Sequence, residues 1–421
     1  MIQLGLLIYC FLLLIRPADW VPSVLHWPLE FTVLGLTGVI ALVQALKGRA
    51  TGEAPPISRM VQFVLLWLVA ILLSNVSKGN FDAAGTITFE YIKKCIIALT
   101  FWLALRSIGN IRSLTLLMVI LGGALGYQGI YQKAHGFGWA GQPLYWDNRI
   151  CWIGLWDGAN VLSLVFVTAV PFAFEIILGK WNWILKAIAL GSLGLMLTGL
   201  VLAASRGGWV ALAVTTLIYF SRRVGKRGLI VGVILLAGCA VIAPSRLSRN
   251  DERDSSSTSG RIDMWAEGIE MYKSNPVFGI GKGQFMNYTN MLIAHNAFVQ
   301  NMGETGTLGL FAWIGLIYLA YKSLRTVRAA SPYIADKRIL RMNDAVFASL
   351  TGYLSASMFI STDFDLLYLM LGLAGAMFIV TRRETGLPLE INFGRRDVRN
   401  VLCCVFGGVI AICGITIGMS H

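Results

Sequence analysis

The sequence predicts an all-α polytopic membrane protein, with about twelve or thirteen transmembrane helices and a large, partly helical loop outside the bilayer. Of 421 residues, 56% are hydrophobic and only 14% charged, and the mean hydropathy is +0.67. Apolar runs of near-spanning length recur from one end of the chain to the other. Lysine and arginine gather in alternate connections between those runs. The strands of a transmembrane β-barrel would alternate apolar and polar residues, whereas these runs are continuous.

The runs fall at about 2–15, 29–46, 60–75, 92–105, 113–127, 159–178, 183–204, 207–220, 228–243, 297–321, 344–361, 364–380 and 401–418. A hydrocarbon core of about 30 Å takes about 20 helical residues, so the shorter runs must extend into flanking polar sequence. With the N-terminus cytoplasmic, segments 47–59, 106–112, 179–186, 221–228, 322–343 and 381–400 hold 22 Lys/Arg against 5 Asp/Glu. The loop 244–297, placed outside, balances 6 against 6. This bias sets the expected orientation and accounts for the net charge of +13 without a nucleic-acid partner. Arg222-Arg223 and Arg395-Arg396 read as topology anchors that touch anionic membrane lipids. Only the first run dissents, with no cation before it and Arg16 after it. No convincing small-residue cleavage site follows, so it is expected to persist as a helix.

Residues 1–421 are expected to form one integral domain with two sizeable exterior loops. The first, 128–158, is rich in Trp, Tyr and Gly. It reads as an interfacial aromatic belt, or alternatively as a surface on which sugar rings stack. The second, 244–297, opens with the polar stretch RLSRNDERDSSSTS, expected to be mobile. A helix from about Arg261 to Lys273 follows, capped by Ser257, Thr258 or Ser259 and ended by Asn275-Pro276. Its apolar stripe, Ile262, Trp265, Ile269 and Tyr272, suits a helix lying on the membrane surface. PVFGIGKGQF then supplies a glycine-rich turn.

Few residues can carry chemistry. Arg206, in Ser205-Arg206-Gly207-Gly208, stands where two apolar runs meet on the expected exterior side. An arginine there is costly without partners or water, and the adjacent glycines leave room beside it for a bulky ligand; the plainer reading is an arginine snorkelling to lipid headgroups. Arg261, in the first turn of its expected helix, combines a helix N-terminus with a guanidinium that grips phosphate through two bonds. Taken alone it reads more simply as a salt bridge to Asp263 or Glu267. His295-Asn296 precedes the tenth run, with Glu304 further along it. A histidine titrating near neutrality can serve as a general base, though one at a membrane boundary is more often merely interfacial. Glu304 reads as a buried acceptor for a neighbouring helix. Asp363-Phe364-Asp365 is the single DxD, fit to bind a divalent ion or to cap helices in a tight turn, and no second acidic cluster accompanies it. The other histidines are His26, His135 and His421. Seven scattered cysteines without a CxxC indicate neither a disulfide framework nor a zinc site.

In order and spacing, SRGG at a helix start, then GR-x3-W-x6-Y-x3-P-x2-G-x-G-x-G-x-F, then HN and E-x-G-x2-G resemble the O-antigen ligase and polymerase superfamily. The motifs span about 206–311; elsewhere the likeness is a hydrophobic profile with a large loop late in the chain. Lipopolysaccharide O-antigen ligases are closest in size and layout. That resemblance implies a metal-independent, GT-C-like glycosyltransferase without cofactors in a Gram-negative inner membrane, its active site on the periplasmic face. The implied donor is an undecaprenyl-diphosphate-linked glycan and the implied acceptor lipid A–core. Arg206 and Arg261 would bind the donor diphosphate, and His295 would deprotonate the acceptor hydroxyl. Asp363 or Asp365 would supply the acidic residue of the last periplasmic turn, with Asn296 and Glu304 in support. A thirteenth span at 401–418 departs from the twelve-helix layout.

The chemistry accords with that mapping. A departing diphosphate needs its charge neutralised, which preorganised guanidinium groups can do. An alcohol is a poor nucleophile until a base takes its proton. Three readings follow: a ligase, a polymerase whose acceptor is a second lipid-linked repeat, and a flippase that moves lipid-linked glycan without covalent transfer. A transporter would place polar groups through the midplane, whereas these charges gather on one expected face.

Overall fold

The computed structural model describes residues 1–25, 27–50, 59–228, 230, 232–233, 252–361 and 363–419. Helices occupy α1 (Ile2–Ile15), α2 (Leu29–Ala50), α3 (Arg59–Val76), α4 (Phe81–Ala104), α5 (Ile108–His135), α6 (Ala159–Leu178) and α7 (Trp183–Ala203). They continue with α8 (Arg206–Val224), α9 (Glu252–Ser274), α10 (Ala297–Ala329), α11 (Lys337–Ser357), α12 (Asp365–Thr385) and α13 (Arg395–Met419). Each expected apolar run but one coincides with a helix. The expected span at 228–243, the first part of the polar opening (246–251), His26 and His421 lie wholly or largely outside the described residues, whereas 252–259 of that opening, expected to be mobile, is helical.

Among the described residues, eight helices are long and apolar enough to cross a membrane: α2, α3, α5, α6, α7, α10, α12 and α13. The protein is thus an all-helical, multi-pass membrane protein. Helix α1 has only 14 residues, α4 and α11 each carry four charged residues, and α8 has Arg206 at its start and Arg222-Arg223 near its end. Capping explains where several helices begin. Asn80 accepts from the Ala83 amide and draws α4 back to Phe81, well ahead of its apolar run. Asn182 caps α7 by accepting from the Leu185 amide at 2.9 Å.

Helix α12 is the hub, with 89% of its spanning window buried, and it packs against α4, α10 and α11. Helix α13 is peripheral, 22% buried, and touches the rest through Val401, Val405 and Ile412 against α10 and α9. At the end of the bundle where α6, α8 and α10 terminate, buried carboxylates gather arginines. Glu175 pairs with Arg223 at 2.7 Å and Arg341 at 3.3 Å; Asp344 pairs with Arg222 at 3.0 Å and Arg328 at 2.8 Å. Arg222 and Arg223, expected as lipid-facing anchors, are therefore clamps between helices, while Arg395 and Arg396 remain exposed.

Two local expectations change in the loop preceding α10. Helix α9 starts at Glu252, so Ser257–Ser259 lie within it and Arg261 is not in its first turn. Ser, Thr and Gly260 are weak helix formers that favour a later start, and here the helix continues through them. Nor does its apolar stripe face lipid. Ile269 is buried and Trp265 and Tyr272 pack into the protein core, holding α9 against α10 and α13.

Candidate active site

Helix α10 is broken at Gly306, whose φ of 60° and ψ of −160° interrupt the helical path. Such a break frees backbone groups that must find partners elsewhere. The glycine-rich segment supplies them. Ile280 and Gly281 donate their amides to the carbonyls of Gly303 and Glu304, each at 3.0 Å. In return, the carbonyls of Pro276 and Val277 accept from Thr307 and Leu308 at 2.8 and 3.2 Å. The approach is too close for side chains: a Cβ on Gly279 would lie 2.3 Å from the Glu304 carbonyl carbon. PVFGIGKGQF and E-x-G-x2-G are thus two halves of one backbone joint, rather than a turn and a separate helix.

A buried charge cluster sits beneath that joint. Lys282 Nζ pairs with Glu304 Oε2 at 2.9 Å and donates to Asn301 Oδ1 at 2.6 Å. Asn301 in turn donates to both Asp363 carboxylate oxygens, at 3.2 and 3.4 Å, and Lys94 donates to the Asp363 carbonyl at 2.5 Å. Burial alone would discharge the Lys282 ammonium, but Glu304, Tyr91 and Asp363 outweigh it and hold its pKa above the ordinary lysine value. Burial pushes the Asp363 carboxyl up, with Lys282 and Lys94 opposing the shift. Asp365 begins α12 and feels the charges of Lys94 and Arg16, so the two aspartates of the DxD share Lys94, while Asp363 alone is hydrogen-bonded to Asn301.

His295 is held by three elements. Its own φ is 49°, a left-handed conformation that costs a side-chain-bearing residue about 1–3 kcal/mol. Its backbone amide donates to Ser361 in the turn between α11 and α12. Just before it, the Ala294 carbonyl accepts from Trp265 Nε1 of α9 at 3.0 Å; just after it, Asn296 caps α10, accepting from the Phe298 and Val299 amides at 3.0 and 3.2 Å. Asn296 therefore acts on the backbone, and its Nδ2 is buried without a hydrogen-bond partner.

The structure brings Arg261 within electrostatic reach of both Arg206 and His295. Burial, and after it the charge of Arg206, lowers the Arg261 pKa. Burial, and after it the charge of Arg261, lowers the His295 pKa below its ordinary 6.5, so the imidazole is neutral at pH 7. No ion pair joins Arg261 to Asp263 or Glu267 among the described residues. Arg206 is exposed and opens α8, whose cap, Ser205, accepts from the Gly208 amide at 3.1 Å. The adjacent glycines do not leave open space, as expected, but close packing: a Cβ on Gly207 would meet Phe359 at 2.5 Å, and one on Gly208 would meet Leu200 at 2.8 Å.

Sequence reasoning missed Lys282, Asn301, Lys94 and Arg149. The last donates to the Ala203 carbonyl at 2.7 Å and to Asn160 at 2.8 Å, which places a guanidinium beside the turn that carries Arg206. A lysine between two glycines in an apolar protein was the available signal for Lys282. The aromatic loop divides into two sets: Trp152 and Trp156 are buried, while Trp139 and Trp146 stay exposed. Trp156 donates to the Leu13 carbonyl at 2.8 Å and stacks on Phe364 at 5.7 Å, which ties this loop to the turn bearing Asp363.

Two cations beside a neutral imidazole can bind an anion and accept a proton next to it. Residues 191–314 match the O-Antigen ligase family, a transferase family, and the matched segment contains Arg206, Arg261, His295 and Glu304. No curated protein matches the chain.

Proposed function

We propose that this protein, which carries an O-antigen ligase family domain over residues 191–314, transfers O-antigen glycan from undecaprenyl diphosphate to a sugar hydroxyl of lipid A–core. The family implies lipid-linked glycan substrates. The observation that carries the reading is that Arg261 stands within electrostatic reach of both Arg206 and a neutral His295.

In this reading the guanidinium groups of Arg206 and Arg261 hold the donor diphosphate, and the polyprenyl tail lies along the helices. His295 takes the proton of the acceptor hydroxyl as that oxygen bonds to the anomeric carbon. The bond from the anomeric carbon to phosphate oxygen breaks, and undecaprenyl diphosphate leaves with the bonding pair. Attack opposite the leaving group inverts the anomeric configuration. The cations neutralise the departing charge, so the reaction is assigned no metal. Asp363, Glu304 and Asn296 support the site through the backbone and the Lys282 cluster, and Asp365 lies at its edge. The site is assigned to the periplasmic face of a Gram-negative inner membrane, following the distribution of Lys and Arg among the loops.

A polymerase that uses a second lipid-linked repeat as acceptor shares every donor-side feature. Reconstitution with a lipid-linked glycan donor tests the assignment, offering lipid A–core in one arm and more donor in the other. Product on lipid A–core supports the ligase and chain growth on the donor identifies a polymerase. Movement of donor across the bilayer without covalent transfer would overturn both.

A further inference from the structure

At the end of the bundle opposite Arg206, separated from it by the length of α7, lies a second cationic site. A cavity of about 390 Å³ is lined by Arg112, Lys180, Lys337, Arg338 and Arg341, with Asp336 the one lining acid. Three chain segments meet there: the start of α5, the connection between α6 and α7, and the connection leading into α11.

The geometry points to a binding site for the phosphate of an anionic phospholipid headgroup, built by Arg112, Lys180, Lys337, Arg338 and Arg341.

Three observations carry this. The local acids are already engaged: Asp336 caps α11 and pairs with Arg338 at 2.7 Å, and Glu175 is shared between Arg341 and Arg223. The cations also stand at the wrong helix ends. Lys337 and Arg338 open α11, where the helix dipole is positive and repels them, with Arg341 and Arg112 one turn further into their helices. Neither helix carries an acid in its first turn. Arg112 also feels the like charges of Arg338 and Arg341, partly offset by those of Glu175 and Asp336. A bound anion relieves all of this repulsion together, and guanidinium groups suit phosphate geometry.

The position favours a lipid over a soluble anion. Arg112 is fixed at the bilayer end of α5, stacked on Trp181 at 3.8 Å and donating to the Lys180 carbonyl at 2.8 Å. Tryptophan and basic residues at helix ends mark headgroup depth. A diester phosphate there can sit in the cavity while its acyl chains lie along α5 and α7. The site does not depend on the transfer reaction.

The test is lipid retention by the purified full chain. Protein in neutral detergent is titrated with dioleoyl phosphatidylglycerol or dioleoyl phosphatidylcholine, and bound lipid is counted by native mass spectrometry. The native protein should hold phosphatidylglycerol at concentrations where phosphatidylcholine has dissociated. Lys337→Gln with Arg338→Gln, both at exposed positions, should weaken that binding about tenfold. Lys226→Gln with Arg227→Gln removes the same charge from another exposed site and should leave it unchanged. Equal retention of the two lipids, or equal weakening in both double variants, would overturn the site. Displacement of phosphatidylglycerol by millimolar inorganic phosphate would reassign it to a free anion and overturn the lipid.

Discussion

Lys282 and Glu304 meet at 2.9 Å inside the protein, one from the glycine-rich segment and one from the broken turn of α10. Both are almost fully enclosed, at 4% and 0% exposure, so removing either strands a charge. Such a loss costs about 3–5 kcal/mol. Glu304→Ala and Lys282→Met should each lower the thermal unfolding temperature of the purified protein sharply. The double variant Lys282→Met with Glu304→Met should recover most of the loss. Wild-type unfolding in either single variant would show that the pair does not hold the joint together.

The two arginines predict how transfer responds to charge. Arg206→Ala or Arg261→Ala should reduce transfer roughly 10²–10³-fold in well-folded protein. Activity should persist fully in EDTA. A folded Arg206→Ala variant with native activity would remove the diphosphate clamp, and strict dependence on added Mg²⁺ would shift attention to Asp363 and Asp365.

His295 predicts the acid limb of the pH profile. Only the neutral imidazole accepts a proton, so activity is present above the folded pKa and lost as pH falls through it. Burial and the charge of Arg261 lower that pKa, so the fall in kcat/KM should come below pH 6.5. In Arg261→Gln, whose activity is low but measurable, the limb should move to higher pH because a like charge has gone. His295→Ala should cost roughly 10²–10⁴-fold in rate and erase the limb. An acid limb that stays in place in His295→Ala assigns the base elsewhere.

Two glycines separate contact from conformation. Gly279 and Gly283 both have positive φ, 74° and 81°, so alanine strains either by about 1–3 kcal/mol. Alanine at 279 would also strike the Glu304 backbone at 2.3 Å, whereas at 283 it meets only the Ile87 side chain at 3.2 Å. Gly279→Ala should therefore give much less folded protein than Gly283→Ala, measured as the monodisperse fraction after purification. Equal yields would mean that the joint does not need this close approach.

Hydropathy and charge exposed the helical architecture because each span is written in a contiguous run. The caps Asn80 and Ser205 were not singled out, although each acts within a few residues of its own position. The start of α9 was misread because Ser, Thr and Gly260 favour a later beginning, and packing of Ile269 and Trp265 outweighs that local preference. Arg206, Arg261 and His295 were legible as residue types, but their mutual proximity is a tertiary fact. Lys282 stood out only as a lysine between two glycines; its pairing with Glu304 was hidden for the same reason, because that partner lies across a fold-dependent joint. The glycines beside Arg206 were misread because an absent side chain signifies room or close packing, and only the neighbouring Phe359 decides which.

The break in α10 also bears on biogenesis. Its 33 residues would span about 50 Å as a straight helix, well beyond a hydrocarbon core of about 30 Å. A nascent chain can thread this segment into the bilayer on hydropathy alone, before residues 276–281 have docked. Only docking gives the freed amides and carbonyls their partners and seats Lys282 beside Glu304. Insertion and maturation are therefore separate events. A molecule can have every span in place and still lack the Lys282–Glu304 pair until residues 276–281 close on the broken helix.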